Sequence, residues 1–421
     1  MNNNLLLFFQ QYSRINITLI DQVLLSVVNF LTGVFIARYL GLDSFGLFTL
    51  LWAITSFIGG VHFALICAPL LHLAPQQSTK TSLHYYTASI WQHLSFLVIT
   101  TCLLSIIFYG IAYFYPASTI HHYALPITGV SLLYLTGEFI RRSYFVKNTP
   151  YYALLHDAIT YIGQLICLFL VFQLPDVTIS LAFVAIAIAH SAAIIINRHV
   201  IYPDSWNPEK FYHFSKQNWH FSKWLLGSTL VDKLSDSIFR VVISSVLGLT
   251  ALGVIRACQN LLSITHILLL GLKNIVPPQA AHHYQNQGYN ALLSYLRTVS
   301  IKGGILMFLL TFTLAAIPEF WLHLFYGQFL VPYAYVLVWF AVIYFSSFFI
   351  FPVCTALSVV RVTRPIFNAL FLANAVSLLF LYPLAKSLGY HGVMFAFLVT
   401  NIIQIIYLIK KRNIHMSLNF S

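Results

Sequence analysis

The sequence predicts an all-α polytopic membrane protein of about twelve transmembrane helices, in two six-helix lobes related by a parallel pseudo-two-fold. Three observations predict it. The 421 residues are 59% hydrophobic and only 8% charged, whereas a soluble domain carries roughly 25% charged residues and needs them to cover its water-facing surface. Apolar runs of roughly 20 residues, the length that crosses a bilayer, recur from end to end between Pro, Gly or charged breaks. A short glycine motif near the N-terminus returns just past the midpoint.

The runs fall at about 17–40, 45–71, 86–113, 123–145, 152–173 and 177–197, then at 223–247, 252–276, 299–323, 332–359, 365–383 and 391–409. The fourth and seventh are the least apolar. The N-terminal run Leu5 to Phe9 is short for a signal-peptide core and no basic residue precedes it, so the first span is expected to act as an uncleaved signal anchor. The longest interval, 198–222, sits between the sixth and seventh runs and carries Trp206 and Trp219. Residues 1–202 are expected to form the first lobe, 203–222 an interfacial cytoplasmic linker and 223–421 the second lobe. The interval 277–297, with Leu292, Leu293 and Leu296 among polar residues, is expected to be a short helix on the inner membrane face.

The formal net charge is +12. With the N-terminus inside, most basic residues fall on the inner loops and flanks, Arg141, Arg142 and Lys147 among them, and only Arg38 and Lys386 on the outer ones. That asymmetry orients the chain with both termini cytoplasmic, explains the charge without nucleic acid, and gives an inner face attractive to anionic lipid headgroups. The five cysteines stand singly in apolar runs, without metal or disulfide spacing. Of the seventeen histidines, His62, His190 and His266 fall inside spans, where packing or interface roles are expected before a proton relay.

The repeat reads Leu40-Gly41-Leu42-x-x-Phe45-Gly46 and Leu247-Gly248-Leu249-x-x-Leu252-Gly253. Its glycines permit a tight reversal between helices. Pro69 and Pro75 close the second span, and Pro277 and Pro278 are expected to close the eighth at a similar offset. Six spans per half is an even number, so the halves share an orientation, an arrangement used by several secondary transporters.

The seventh run carries Asp232, Lys233, Asp236 and Arg240. Each ionisable group at membrane depth costs on the order of +2.5 to +3.5 kcal/mol on insertion scales. Asp232, Asp236 and Arg240 are four apart and share a helical face. Either they form a self-neutralising ladder, or they line a pathway in which Asp232 and Asp236 exchange ions. Arg256 follows in the eighth span, and its planar fork suits phosphate. Lys233, Arg240 and Arg256 outnumber the two aspartates, so an anionic substrate fits the local sign. Glu138 reads as an i,i+3/i+4 partner of Arg141 and Arg142. Asp21 and Asp157 read equally as interfacial caps or as pathway residues. No nucleotide-binding or hydrolase motif is present, and no interval is long enough for a soluble catalytic domain.

The stretch Asp21-Gln22 through Asn29-Phe30-Leu31 to Ala37-Arg38-Tyr39-Leu40-Gly41 and Phe45-Gly46 resembles the opening of the O-antigen translocase, or polysaccharide-export flippase, family of the multidrug/oligosaccharidyl-lipid/polysaccharide exporter superfamily. Val231-Asp232-Lys233, then Leu252-Gly253-Val254-Ile255-Arg256-Ala257 and Gln259-Asn260, resembles the start of that family's second lobe. The resemblance implies a bacterial inner-membrane flippase that moves an undecaprenyl-pyrophosphate-linked oligosaccharide outward by alternating access. No cofactor is expected beyond a proton or sodium gradient. It also implies that Lys233, Arg240, Arg256 and Arg38 meet pyrophosphate or acidic sugars, that Asp232 and Asp236, with Asp21, couple to the ion, and that glycan polymerase and chain-length machinery are partners. A drug or organic-cation exporter, with a cavity dominated by carboxylates, and a membrane glycan polymerase or ligase are the alternatives.

Overall fold

The computed structural model describes residues 3–419 apart from 78, 118, 203–205, 361 and 363. Helices make up almost all of it: α1 (Asn3–His62), α2 (Ala68–Leu73), α3 (Thr79–Phe114), α4 (Ala124–Val146), α5 (Pro150–Val171), α6 (Ile179–Ile196), α7 (Pro208–Leu247), α8 (Leu249–Leu261), α9 (Ile264–Ala316), α10 (Pro318–Tyr326), α11 (Ala334–Phe348), α12 (Ile350–Val359), α13 (Arg364–Leu388) and α14 (Tyr390–Asn419). No strand occurs among the described residues. In hydrocarbon every backbone polar group must be satisfied within its own segment, which leaves the helix as the fold for such apolar runs.

Nine helical stretches among the described residues are long and apolar enough to cross a membrane. The first, Ile20–Gln76, holds two of the expected crossings. At 60 residues α1 would be about 90 Å long if straight, three times the roughly 30 Å hydrocarbon core. It breaks at Gly41, whose φ of 82° and ψ of 174° are non-helical. α7 is too polar to qualify, and α8 too short.

Some boundaries differ from the sequence-based expectation for identifiable reasons. α7 begins at Pro208, well before residue 223, because proline is suited to a first helical turn and the polar residues after it bury a face of their own. The expected linker is therefore mostly helix, and its residues 203–205 lie outside those described. Pro277 and Pro278 do not end a helix: α9 runs through both and bends instead at Gly288, with φ 79°. The eighth span is interrupted earlier, at Leu262 and Ser263 between α8 and α9. The expected interfacial helix over 277–297 is part of α9. The side chain of His266 lies outside those described.

The chain packs as two compact units, Met1–Phe35 with Leu51–Ser237, and Ile36–Leu50 with Ile238–Ser421. In the first unit α4 packs on α3, α5 and α6, and α5 on α6. In the second, α9 packs on α11 and α12, α13 on α14, and α11 on α8 and α14. Val98, Ile106, Tyr109 and Tyr113 on α3 are each more than half exposed, as expected of a face turned to lipid.

The second unit takes in residues 36–50 because the two copies of the glycine motif cross there. Gly248 has φ 88° and ψ 171°, nearly the values of Gly41. A Cβ on Gly46 would stand 1.9 Å from the Leu249 carbonyl oxygen, and one on Gly253 would stand 2.3 Å from that of Leu42. The Thr250 hydroxyl donates to Asp43 Oδ1, joining motif-equivalent positions 207 residues apart. The contact is a local two-fold built from the repeat.

Candidate functional site

The first unit encloses a cluster of charges. Arg141 of α4 is buried and forms ion pairs with Asp21 of α1, with Asp157 of α5 (Nε–Oδ2 2.6 Å) and with Glu138 one turn earlier (Nη1–Oε1 3.6 Å). The contact with Asp157 is close without being an aligned hydrogen bond, and Asp21 Oδ1 accepts none among the described residues. Arg142 closes on Glu138 Oε2 at 3.1 Å. Glu138 thus pairs with both arginines, as its spacing predicts. Three carboxylates face two guanidiniums, so with every group ionised the cluster would carry one negative charge in excess.

Polar groups surround it. Tyr144 donates to Asn197 Oδ1 at 2.5 Å, Asn197 Nδ2 approaches His156 Nδ1 at 3.2 Å, and Gln164 donates to Thr32 Oγ1 at 2.8 Å. Apart from Glu138 and Arg142, the residues of this network are buried: Asp21, Arg141, His156, Asp157, Gln164 and Asn197 are each less than 8% exposed. Burying this many charges costs several kcal/mol per ion unless each finds partners, and removing one partner is far more costly than removing all. Arg141 is therefore no loop or flank cation, contrary to the sequence-based expectation. Asp21 on α1 and Asp157 on α5 flank it and draw it inside.

A second buried polar group lies in the same unit. His62 Nε2 and His93 Nδ1 are 2.9 Å apart, and Cys67 Sγ is 3.6 Å from His62 Nδ1. Residues Phe63–Cys67 form a π-helical turn. A π turn aligns residues five apart, which places Cys67 over His62. His93 stacks on Phe139 with centroids 4.6 Å apart.

The residues singled out on α7 divide. Asp232 and Asp236 are exposed, while Lys233 and Arg240 are half-buried. Lys233 lays its stem across Gly60, where a Cβ would meet its Cγ at 3.0 Å, and its Nζ reaches Ser56 Oγ at 3.4 Å. Asp236 and Arg240 each have an interaction partner. In the second unit Arg38 is exposed and donates to the Leu324 carbonyl at 2.7 Å. Arg256, on α8, is half-buried and forms no ion pair among the described residues. Asp21 is paired with Arg141, on a different element from Asp232 and Asp236. Among the described residues no group of three or more His, Cys, Asp or Glu could hold a metal ion.

This architecture is that of known membrane transporters. An inward-facing multidrug resistance MATE family transporter of the MOP superfamily superposes with a TM-score of 0.72 at 12% identity, over 93% of this chain and 94% of that one. The lipid II flippase MurJ, in an inward closed conformation, gives 0.70 at 14% identity over 94% and 87%. A MOP superfamily transporter from Pyrococcus furiosus gives 0.64 at 12% identity over 95% and 94%. No curated protein matches the sequence. The chain is a multi-pass membrane protein of the MOP-transporter fold. Residues 35–335 match the family described as polysaccharide biosynthesis protein, and the chain belongs to that family.

Proposed function

We propose that this chain is a flippase-type secondary transporter for an undecaprenyl-pyrophosphate-linked oligosaccharide, an O-antigen or capsule repeat unit. It works by ion-coupled alternating access in a bacterial inner membrane, with both termini cytoplasmic. The observation that carries the reading is Arg256: a half-buried guanidinium within a transporter fold, with no ion-pair partner among the described residues. An unpaired intramembrane cation is expensive unless a ligand completes it, and its planar fork matches a phosphate oxygen pair. The family match and the fold shared with a lipid II flippase support the same reading. Lys233, Arg240 and Arg38 are the further candidates for meeting pyrophosphate or acidic sugar.

Ion coupling is proposed at Asp21 with Asp157 and Glu138. Their excess negative charge, held against Arg141, can be balanced by a proton or a small cation. Asp232 and Asp236 are the alternative coupling pair. They are exposed on α7 beside Lys233 and Arg240, so local balance of those cations is an equally good use for them. A drug or organic-cation exporter is the second reading, favoured by that same excess of buried carboxylate.

The test is reconstitution of the full-length protein in liposomes with a fluorescent undecaprenyl-pyrophosphate oligosaccharide, read by its accessibility at the outer surface. Movement under a proton or sodium gradient is expected, with loss in Arg256→Gln at unchanged melting temperature. A folded protein that moves no such lipid under either gradient, yet exports organic cations, would replace the flippase reading with the second. Folded Asp21→Asn protein with undiminished gradient dependence would remove the coupling assignment alone.

A further inference from the structure

Residues 208–223, the N-terminal arm of α7, carry two opposed rows. Phe214, Asn218 and Ser222 are buried. This row is fastened to α3. Tyr85 donates to Asn218 Oδ1 at 2.6 Å, Asn218 Nδ2 donates to Gln92 Oε1 at 2.8 Å, and Gln92 Nε2 donates to Ser215 Oγ at 3.0 Å. The Tyr85 and Phe214 rings meet edge to face, 5.1 Å between centroids. The arm is therefore held in one orientation and does not roll.

The opposite row is Tyr212, Lys216, Trp219 and Lys223, all exposed. Their spacing of four, three and four residues puts them on a single stripe about 16 Å long. Aromatic rings and ammonium groups alternate along it. Elsewhere on the first unit, Lys147 at the end of α4 lies 4.5 Å above the ring of Tyr86, whose hydroxyl donates to the Val200 carbonyl at 2.9 Å. Lys210 reaches His84 at 3.0 Å. Against Lys210, Lys216 and Lys223 the arm has one acidic residue, Glu209.

We infer that the Tyr212–Lys216–Trp219–Lys223 stripe is a docking surface for the headgroups of anionic phospholipids. Tyrosine and tryptophan rings settle at headgroup level with their apolar bodies toward the acyl chains. Lysine near an anionic leaflet gains by charge alone, without the bidentate geometry that arginine would bring. A protein partner is the poorer fit, since lysine is depleted from the centre of protein interfaces. The stripe is rigid on α3 before it meets lipid, so little ordering is lost on docking. The inference needs only a bilayer beside the arm. It does not depend on what the protein transports.

The experiment places the full-length protein in nanodiscs of mixed phosphatidylglycerol and phosphatidylcholine, re-extracts it, and measures the retained lipids by mass spectrometry. The wild type is expected to be several-fold enriched in phosphatidylglycerol, and the enrichment to fall as salt rises, because exposed charges are screened. Lys216→Gln/Lys223→Gln should lose most of the enrichment, Lys216→Arg/Lys223→Arg should keep it, and Lys386→Gln in the other unit should not change it. Single Lys216→Gln and Trp219→Gln variants, each with the remaining row intact, should show partial loss. Equal enrichment in wild type and in the folded double glutamine variant would overturn the inference. So would stripe-dependent binding of a soluble protein with lipid ratios unchanged.

Discussion

Gly46 and Gly253 stand in reciprocal contact: a Cβ on either would lie 3.2 Å from the backbone nitrogen of the other. Each would also drive into a carbonyl oxygen, of Leu249 and Leu42 respectively. Alanine at either position is therefore expected to force the two backbones apart, at a cost in or above the roughly 1–3 kcal/mol range of overpacked cores. Thermal unfolding in detergent should show both variants melting lower. Gly110→Ala, where a Cβ meets nothing within 4 Å, should be neutral or stabilising by about 0.5–1 kcal/mol.

Removing the cation at the centre of the first unit should be among the most damaging single changes. Arg141→Gln leaves Asp21, Asp157 and Glu138 with only Arg142, and breaking a buried pair in this way costs on the order of 3–5 kcal/mol. Membrane yield and melting temperature should fall sharply. Arg142→Gln should cost less, since that side chain is 25% exposed and, among the described residues, pairs only with Glu138.

The histidine pair lends itself to a double-mutant cycle. His62→Leu or His93→Leu alone leaves a buried ring nitrogen without its partner, a penalty of about 1–3 kcal/mol. The double replacement by leucine should recover most of that loss, because no ring nitrogen is left orphaned and only the weak Cys67 thiol contact goes unreplaced. Additive losses across the cycle, read from melting temperatures, would show that the 2.9 Å contact contributes nothing.

Arg256 should separate folding from function. It surrenders no ion pair when replaced, so Arg256→Gln should melt like the wild type while transport falls by about tenfold or more. Arg256→Lys keeps the charge and loses the fork, and should fall between the two. A variant that unfolds instead would mean that Arg256 holds the second unit together.

Much of this was legible in the sequence. Apolar runs mark most of the spans, and the Leu-Gly-Leu-x-x-Φ-Gly match marks Gly41 and Gly248, two glycines of the same positive-φ backbone. Less legible was anything that depends on tertiary pairing. Glu138 and Arg141 announce each other by their spacing, but Asp21 lies 120 residues from Arg141, and nothing local ties them. The packing of the α7 arm was less legible because its buried row uses Asn218, satisfied by Tyr85 and Gln92, and Ser222, where hydropathy reads only polarity. The π turn that brings Cys67 to His62 likewise leaves no periodic trace, being a single departure from the helical period.

The hydrogen bond from Thr250 to Asp43 has a further consequence. A contact that maps onto itself when its two halves are exchanged sets each position against its own counterpart. Had the two segments been identical subunits, an aspartate there would have faced an aspartate and been repelled. Two threonines would have met without a charge. A covalently continuous chain escapes that restriction, since one copy can keep the acid while the other drifts to a hydroxyl. Asp43 and Thr250 form a donor–acceptor pair that two identical subunits could not make across such a contact.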